Sequence, residues 1–354
     1  MTKQLYLFYL IILTAALSSC TRDEINAPPV IVTINSKGAY ILTEGGFNPG
    51  TSKLSYYNKT ADSFYVNIFN PGNLGLYPDG LLYDNGNLFI SEQGNFGAAG
   101  KIYKTDTNGT VVMSGSAGVN PYSMTIANNK IYLTNGPNNS VTVLDKNTLS
   151  QITTIGVGIY PQEILSIGNK VFVCNTNVFN GGTDSTVSVI DANTDNLVAT
   201  IPVSKNPTSL AVSDDAHLLV GCPGDSLSAV IYKIDPVALI ITTAYRNHKF
   251  GLSKDIVSTG NNEIIYIGGN IYSEQNIVKY SLTTRSGQSI IAKPTGGINY
   301  GLSYDNENSR IYVCVAAADF TSSGRFRVYG NTGSLINDFI ITGGITPRRI
   351  ALKK

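Results

Sequence analysis

The sequence has few residues of the types that most often catalyse reactions or bind metal ions. It contains two histidines, His217 and His248, and no tryptophan. A histidine-based metal centre needs several of these side chains converging on one point, and two cannot supply it. The chain also has no Gly-x-Ser-x-Gly, His-Glu-x-x-His or Cys-x-x-Cys-His pattern. We therefore expect no metal site and no cofactor, and we expect the protein not to be an enzyme.

Charged residues are also scarce. They make up 14% of the chain, and 25 basic residues nearly balance 24 acidic ones. Proteins that bind nucleic acids through the phosphate backbone present a strong positive field, which this composition does not provide. We expect no nucleic-acid partner.

Cysteine is rare, with four in the whole chain. Three of them, Cys174, Cys222 and Cys314, lie at or just after apolar runs rich in β-forming residues. A buried thiol behaves as a small hydrophobic group, so we predict three buried free cysteines and no disulfide framework.

The N-terminal apolar run, Leu5 to Ala16, is too short to span a bilayer as a mature helix. Its length is typical of the apolar region of a signal peptide. The four residues that follow, Leu17-Ser18-Ser19-Cys20, resemble the lipobox of bacterial lipoproteins. That resemblance implies that Cys20 is lipidated and becomes the new N-terminus. The alternative is an ordinary cleaved signal peptide followed by an incidental cysteine.

The resemblance divides the chain into three parts. These are a signal peptide (1–19), a lipidated cysteine with a polar tether (20–36) and one folded domain (37–354). Asp23 and Glu24, just after the cysteine, are similar to the export signal of Bacteroidetes surface lipoproteins. We expect an outer-membrane lipoprotein, attached to the membrane through its lipid anchor and facing the cell surface or the periplasm.

The most informative pattern is a repeated phrase, Pro-x-x-apolar, which returns roughly every 46 residues and precedes a second apolar β-rich run. Five copies begin with proline and two degenerate copies fill the remaining gap: Pro78, Pro121, Pro161, Pro207, Ser253, Asn299 and Pro347. A period in the forties with several short strands per repeat is typical of a propeller blade. We predict an all-β fold, a seven-bladed β-propeller with four strands per blade.

The last copy has only its first strand before the chain stops. Three unassigned strands lie at the other end of the domain, at Ala39 to Thr43, Leu54 to Tyr57 and Phe64 to Val66. We expect these N-terminal strands to complete the C-terminal blade and close the ring, which leaves no long open edge. Four third strands end in aspartate, which predicts Asx turns into the outer strand: Asp106, Asp145, Asp191 and Asp235.

Two segments resemble a known group of propellers. Ile131-Tyr132-Leu133-Thr134-Asn135, followed by Val141-Thr142-Val143-Leu144-Asp145, resembles the YVTN-type repeat. Gly38-Ala39-Tyr40-Ile41-Leu42-Thr43-Glu44-Gly45 resembles the opening of YncE-like Bacteroidetes surface lipoproteins. The resemblance covers essentially the whole mature chain and implies a seven-bladed propeller. Some relatives capture cobalamin at the outer membrane and pass it to a transporter, and many have no known ligand.

One candidate set of ligand-binding residues lies in the loops between second and third strands. Five of these loops carry an aromatic residue: Phe47, Phe96, Phe179, Tyr272 and Phe320. Two interpretations remain open. Each ring folds back to cap its own blade, or the rings form a rim around a central depression and contact a planar or bulky ligand.

A second candidate set follows each repeat start and should surround the mouth of the central channel: Asp79, Tyr122, Gln162, Thr208, Lys254, Tyr300 and Arg348. Such a ring can simply solvate the channel. Alternatively, Lys254, Arg348 and the adjacent Arg349 hold an anionic or amide-rich ligand through several donors. Residues that end the second strands would add acceptors nearby: Glu44, Glu92, Asn135 and Asn175.

These features lead to three hypotheses. The first is a lipid-anchored extracytoplasmic protein that captures a small amphipathic molecule on its loop face for an outer-membrane transporter. A corrinoid is the specific candidate, because of the cobalamin-capturing relatives. The second hypothesis is a scaffold that binds a protein or glycan at the cell surface. The third and weaker one is an ion-dependent propeller hydrolase or lyase.

Overall fold

The computed structural model describes residues 33–178, 181–246, 248–270 and 273–354. These residues form twenty-eight strands, and a turn of 3₁₀ helix occupies Gly136–Asn138. Strands β1 to β14 are Gly38–Thr43, Leu54–Asn58, Ser63–Tyr65, Pro78–Asp84, Asn87–Glu92, Ala99–Asp106, Val111–Val119, Pro121–Ala127, Lys130–Asn135, Ser140–Asp145, Gln151–Gly156, Pro161–Ile167, Lys170–Asn175 and Thr186–Asp191. Strands β15 to β28 are Asn196–Pro202, Ser209–Val212, Leu218–Cys222, Val230–Asp235, Ile240–Tyr245, Lys254–Gly260, Glu263–Asn270, Ser273–Ser281, Ser286–Ile291, Gly297–Asp305, Arg310–Ala317, Arg325–Gly330, Leu335–Ile340 and Pro347–Lys353. Within the described ranges, no helix combines the length and the apolar character that crossing a bilayer requires.

The strands form seven antiparallel sheets of four, each a blade of a β-propeller. Blades 1 to 6 are β4–β7, β8–β11, β12–β15, β16–β19, β20–β23 and β24–β27, and blade 7 is β28 followed by β1, β2 and β3. The first strand of each blade contacts the first strands of both neighbouring blades, so these seven strands surround the central channel. The predicted fold, including the number of blades and strands, is confirmed.

The hydrophobic core lies between neighbouring blades. The second strands are almost completely buried, as in β9 (Lys130–Asn135), whose five last residues are all inaccessible. The outer strands are mostly exposed, as in β15 (Asn196–Pro202). A strand that is covered on both faces has a continuous run of apolar residues, whereas an edge strand also contains polar residues. In each repeat the second strand shows the first pattern and the outer strand shows the second.

Blade 7 closes the ring as expected. β28 pairs antiparallel with β1, from Gly38 opposite Lys353 to Thr43 opposite Pro347. An aromatic cluster fills the gap between blades 6 and 7, where the Phe64 and Phe339 rings are stacked with centroids 5.1 Å apart. Each such aromatic pair adds on the order of 1 kcal/mol beyond its buried area. The two ends of the domain are therefore joined by backbone pairing and by packing.

The predicted Asx turns are present. In blade 2, Asp145 Oδ1 accepts hydrogen bonds from the backbone amides of Asn147 and Thr148, at 2.8 and 2.9 Å. In blade 4, Asp235 Oδ1 accepts from the amides of Val237 and Ala238, at 2.8 and 3.0 Å. These aspartates are structural, because their acceptor capacity is used by the turn that begins the outer strand.

Cys174, Cys222 and Cys314 are buried free thiols on second strands, as predicted. Burial raises the pKa of Cys222 to about 12. It raises the pKa values of Cys174 and Cys314 still higher. A thiol that stays protonated at neutral pH is a poor nucleophile and a poor metal ligand.

Six of the seven repeat starts distort the innermost strand of their blade in a way that positions the site. In blades 1, 2, 3, 5, 6 and 7 the register shifts at this point, for example between Pro161 and Ile164 in β12. A bulge places two residues opposite one and redirects their side chains, so both x residues of the Pro-x-x phrase can face the channel. The residue before each repeat proline has a left-handed backbone, with φ between 42° and 54°: Tyr77, Asn120, Tyr160, Asn206 and Thr346.

Candidate functional site

Two adjoining cavities open at the mouth of the central channel, on the face that carries the loops between second and third strands. The larger has a volume of about 400 Å³ and the smaller about 180 Å³. Tyr122, Gln162 and Tyr300 line both, so the two cavities form one basin, which we call the mouth. A volume of several hundred Å³ is in the range of pockets that bind small molecules.

Several residues selected from the sequence meet in the mouth. Phe96, Tyr122 and Tyr300 line the larger cavity. Lys254 and Arg348 line the smaller one, together with the same two tyrosines. The residues after the repeat starts therefore surround the channel in the way that the repeat predicts.

The other loop aromatics take different positions. Phe47 is 90% exposed and its ring meets the edge of Tyr77, with centroids 6.4 Å apart. Phe320 packs edge-on against Tyr300 of its own blade at 6.2 Å. Neither phenylalanine lines either cavity, and each instead contacts a tyrosine that does. Phe179, Tyr272 and Cys20 lie outside the described residues.

The floor of the mouth is a network of buried ion pairs. Arg348, which is 4% exposed, donates from Nη1 to Asp255 Oδ2 at 2.6 Å and lies 3.4 Å from Glu163 Oε1. Arg349 donates from Nε to Asp79 Oδ1 at 2.8 Å, and its Nη2 lies 2.9 Å from Glu163 Oε1. Each guanidinium is thus held between two carboxylates, an arrangement that fixes both side chains.

The remaining charges lie at the side of this floor. Lys254 Nζ is 2.9 Å from Glu274 Oε1 and 3.8 Å from the centre of the Tyr300 ring. The Tyr300 hydroxyl donates to Glu44 Oε2 at 3.1 Å. Burial, with the nearby Asp79 carboxylate as a second cause, raises the pKa of Glu44 to about 7. The negative charge of Glu44 is in turn the main cause that holds the pKa of Tyr300 well above its ordinary value.

The charge balance bears on the two interpretations of the basic residues. Three basic side chains, Lys254, Arg348 and Arg349, form ion pairs with four carboxylates: Asp79, Glu163, Asp255 and Glu274. A fifth carboxylate, Glu44, is hydrogen-bonded to Tyr300. Carboxylates of the protein therefore already accept hydrogen bonds from both arginines, although Arg349 Nη2 has no hydrogen-bond partner among the described residues. By formal charge the mouth carries more negative than positive groups, which favours a charge-paired floor over a site for an anionic ligand.

The residues that end the second strands also differ from expectation. Glu92 accepts from the Gly75 amide at 2.7 Å, and Asn135 donates to the Ala117 carbonyl at 3.0 Å. Asn175 donates to Ser188 Oγ at 2.9 Å. These three side chains hold loops and neighbouring strands in place, and of the four expected acceptors Glu44 is the one that lines the mouth.

His248 does not reach the mouth. It is fully buried in blade 5, where its Nε2 lies 3.1 Å from the Tyr245 carbonyl and its ring packs on Tyr280. Within the described ranges, no group of three or more His, Cys, Asp or Glu side chains is arranged to hold a metal ion.

A match to the family described as "Domain of unknown function (DUF5074)" covers residues 37–338, nearly the whole propeller. The chain belongs to the DUF5074 family. The match covers part or all of every blade, so the mouth described above lies largely within the family domain. No curated protein matches the sequence significantly.

Solved structures similar to this DUF5074 member are also propeller proteins. A quinonprotein alcohol dehydrogenase-like protein from Bacteroides thetaiotaomicron has a TM-score of 0.70 at 16% identity, covering 90% of this chain and 78% of that chain. The periplasmic gluconolactonase of Pseudomonas aeruginosa has a TM-score of 0.67 at 11% identity, covering 90% and 99%. A putative 6-phosphogluconolactonase from Bacteroides fragilis has a TM-score of 0.64 at 12% identity, covering 91% and 99%. At these identities the likeness supports the fold alone.

Some residues of the mouth in this DUF5074 member were not selected from the sequence. Tyr77, Asn120 and Tyr160 line the larger cavity, and each directly precedes a repeat proline. Glu163 and Asp255 occupy the second x of the Pro-x-x phrase and its degenerate copy, one residue after the ring that was selected. Each of these residues has a fixed position relative to its repeat start, either just before it or two residues after it, and this position could have identified them in the sequence.

Proposed function

We propose that this protein is an extracytoplasmic binding protein that captures a small amphipathic molecule in the mouth of its propeller, and that it binds its ligand without chemical conversion. The observation that carries the proposal is the basin itself: two adjoining cavities, walled by aromatic rings and amides, above a floor whose charges are largely paired. Aromatic walls favour apolar or planar groups, and the amides of Gln93 and Gln162 offer both donors and acceptors. The third amide, Asn120, already accepts from the Gly97 amide and donates to two backbone carbonyls. This combination suits a molecule with an apolar body and polar substituents.

The direction in which the chain enters the propeller bears on how the mouth would face. β1 runs from Gly38 to Thr43, and the next residue, Glu44, lines the mouth. The preceding residues therefore lie on the opposite face, where the Ile34 carbonyl accepts from Lys353 Nζ at 2.7 Å. We propose that Cys20 is lipidated in the outer membrane and that its tether reaches the propeller from this face. The mouth would then face away from the attached membrane.

A corrinoid is the specific ligand that we propose to test, with delivery to an outer-membrane transporter as the physiological role. Support comes from the resemblance to surface lipoproteins that capture cobalamin and from the amide-rich wall, because corrinoids carry amide side chains around a large ring. The breadth of the basin, in which the two cavities share three residues, is compatible with a ligand larger than either cavity alone.

Calorimetric titration of the purified protein with cobalamin and cobinamide tests this function. We expect one-to-one binding that is weakened at least about tenfold, or roughly 1.4 kcal/mol, in a Phe96→Ala, Tyr122→Ala double variant. Leu335→Ala is the matched control, because this exposed residue lies on the outer strand β27, far from the mouth. No binding of either corrinoid would reject the corrinoid, and binding unaffected by the double variant would reject the mouth as its site.

A second candidate function, docking of a protein or glycan on the loop face, is favoured by one observation. Phe47, Phe96 and Leu227 are 90%, 79% and 83% exposed, and all three lie in loops between second and third strands. Exposed apolar groups on one face often mark an interaction surface. If such a partner exists, Phe47→Ser and Leu227→Ser will weaken its binding and leave small-molecule titrations unchanged.

A further inference from the structure

The wall of the larger cavity has an unusual composition for a site above an arginine-rich floor. None of the described residues that line it is a lysine or arginine. The wall instead combines four tyrosines and one phenylalanine with two carboxylates and three amides: Tyr77, Tyr122, Tyr160, Tyr300, Phe96, Glu44, Asp79, Gln93, Asn120 and Gln162. The basic side chains face the smaller cavity and the floor, so the two cavities differ in charge.

Both carboxylates of this wall are incompletely compensated. Glu44 accepts one hydrogen bond, from Tyr300, and forms no ion pair with any described residue. Asp79 is 1% exposed, and its Oδ1 is paired with Arg349. The net effect of its surroundings is still to raise the pKa of Asp79, because burial outweighs the opposing influence of Arg349 and Arg348. Because burying a carboxylate without full compensation is unfavourable, a positive group in the cavity would stabilise both.

The aromatic rings of the wall can add to this attraction. The face of an aromatic ring attracts a cation placed within about 6 Å of its centre. The protein already uses two of these rings in this way: Arg349 Cζ lies 5.2 Å from the centre of Tyr122, and Lys254 Nζ lies 3.8 Å from that of Tyr300. The rings of Tyr77 and Tyr160 line the cavity above them.

The backbone holds these two further rings in place. Tyr77 and Tyr160 have φ of 50° and 49°, a left-handed conformation that is unfavourable for a bulky side chain. Such a conformation persists only where the surrounding structure imposes it, and it is often found at binding sites. Here it directs a tyrosine into the cavity just before the inner strands of blades 1 and 3.

We infer that the larger cavity binds an organic cation, an amine or quaternary ammonium group attached to an apolar body. This inference rests on the proposed function, the capture of a small amphipathic molecule in the mouth, and narrows the charge of that molecule. The positive group lies between Glu44 and Asp79 with tyrosine rings around it, and the apolar body extends towards Phe96 and the open side. The smaller cavity, with its lysine and arginine, takes the polar or neutral remainder of the ligand.

Ligand-observed NMR titration with a matched pair of probes tests the inference. Choline carries a trimethylammonium group, and 3,3-dimethyl-1-butanol has the same shape with carbon in place of the charged nitrogen. We expect the purified protein to bind choline at least about tenfold more tightly than the neutral alcohol, as cation–π and carboxylate attraction together imply. Benzyltrimethylammonium should also bind more tightly than benzoate.

Two variants locate the effect. Glu44→Gln should lower the choline affinity about tenfold and leave the weak binding of the neutral alcohol unchanged. Glu307→Gln is the control, because this exposed carboxylate pairs with Lys37 at 2.7 Å outside the mouth. Equal binding of choline and its neutral isostere, or tighter binding of benzoate, overturns the inference. If a corrinoid binds but the protein does not prefer the cationic probes, the inference is overturned and the proposed function stands. If neither the corrinoids nor any of the four probes binds, the inference and the proposed function are both overturned.

Discussion

Glu44 makes the stability of the protein depend on pH in a way that can be worked out from the structure. The carboxyl lines the mouth, is hydrogen-bonded to Tyr300 and has no ion pair among the described residues. Burial and the nearby Asp79 raise its pKa from an ordinary value of 4.5 to about 7. The folded protein therefore holds the proton of Glu44 more tightly than the unfolded chain does. Its contribution to stability is complete below pH ~4.5 and is lost as the pH rises through about 7.

The magnitude follows from linkage. One pKa unit corresponds to about 1.4 kcal/mol, so the shift of Glu44 amounts to ~3 kcal/mol between the two ends of this pH range. Glu44→Gln keeps the hydrogen-bonding shape and removes the ionisation. We expect the variant to gain stability relative to the natural protein as the pH rises from 4 to 8, by ~3 kcal/mol in total. Because Glu44 and Asp79 repel each other, the value belongs to the pair.

Urea unfolding of both proteins at several pH values between 4 and 8 measures this difference. The control is Glu307→Gln, since Lys37 and Lys59 lower the pKa of that exposed carboxyl to about 2. The stability contribution of Glu307 depends on pH in the opposite direction. Ionised Glu307 stabilises the folded protein above the pKa of the unfolded chain, and this stabilisation is lost as the pH falls. A difference between Glu44→Gln and the natural protein that is constant from pH 4 to 8, or that changes in the opposite direction, would refute the reasoning.

Three further predictions test the packing. Gly301→Ala should cost ~2 kcal/mol or more in urea unfolding, because its Cβ would lie 2.0 Å from the Arg348 carbonyl oxygen. Gly156→Ala, whose Cβ meets nothing within 4 Å, should be neutral or stabilising, and equal effects would contradict this account. Lys53→Met should raise the melting temperature. Lys53 is 2% exposed, and its buried amine has no hydrogen-bond partner in the described structure. Burial of this amine also lowers its pKa. Truncation after Thr346 removes β28 and opens the ring, so cooperative unfolding by circular dichroism should be lost, and an unchanged transition would show that the closure contributes little.

The fold could be predicted from the sequence because every blade begins in the same way. The proline phrase marks the first strand, and its seven copies fix the number of blades. The final copy lacks three strands, and the three spare strands near Gly38 supply them, so the closure of the ring followed from counting. The Asx turns followed from local chemistry, since an aspartate at a strand end uses its own neighbours as donors.

The site was predicted only in part, because its charge pairs join distant parts of the chain. Arg348 pairs with Asp255 and Arg349 with Asp79, at sequence separations of 93 and 270 residues. No local pattern reveals such partners, so the sequence alone leaves two interpretations of the arginines, as solvated channel residues or as donors to a ligand. Glu163 and Asp255 were missed because a strict alternation sends them to the opposite side of the strand from the selected ring. The bulges at the repeat starts of blades 3 and 5 bring them into the channel.

Tyr77 and Tyr160, two of the tyrosines that line the larger cavity, were not predicted for a related reason. A residue that precedes proline normally has an extended backbone, which would carry Tyr77 and Tyr160 away from the channel. Both adopt the left-handed conformation instead, and their rings line the larger cavity. The same left-handed conformation recurs before every repeat proline, so it is a property of the repeat start that the general preference of pre-proline residues does not predict.

The central claim is that small molecules bind in the mouth, and a crystal structure of the protein with a bound ligand tests it most directly. Crystals grown with cobinamide or benzyltrimethylammonium should show the ligand against Tyr122 and Tyr160, with the nitrogen of the ammonium probe near Glu44. Clear ligand density on another face, with the mouth holding only solvent, would contradict the account.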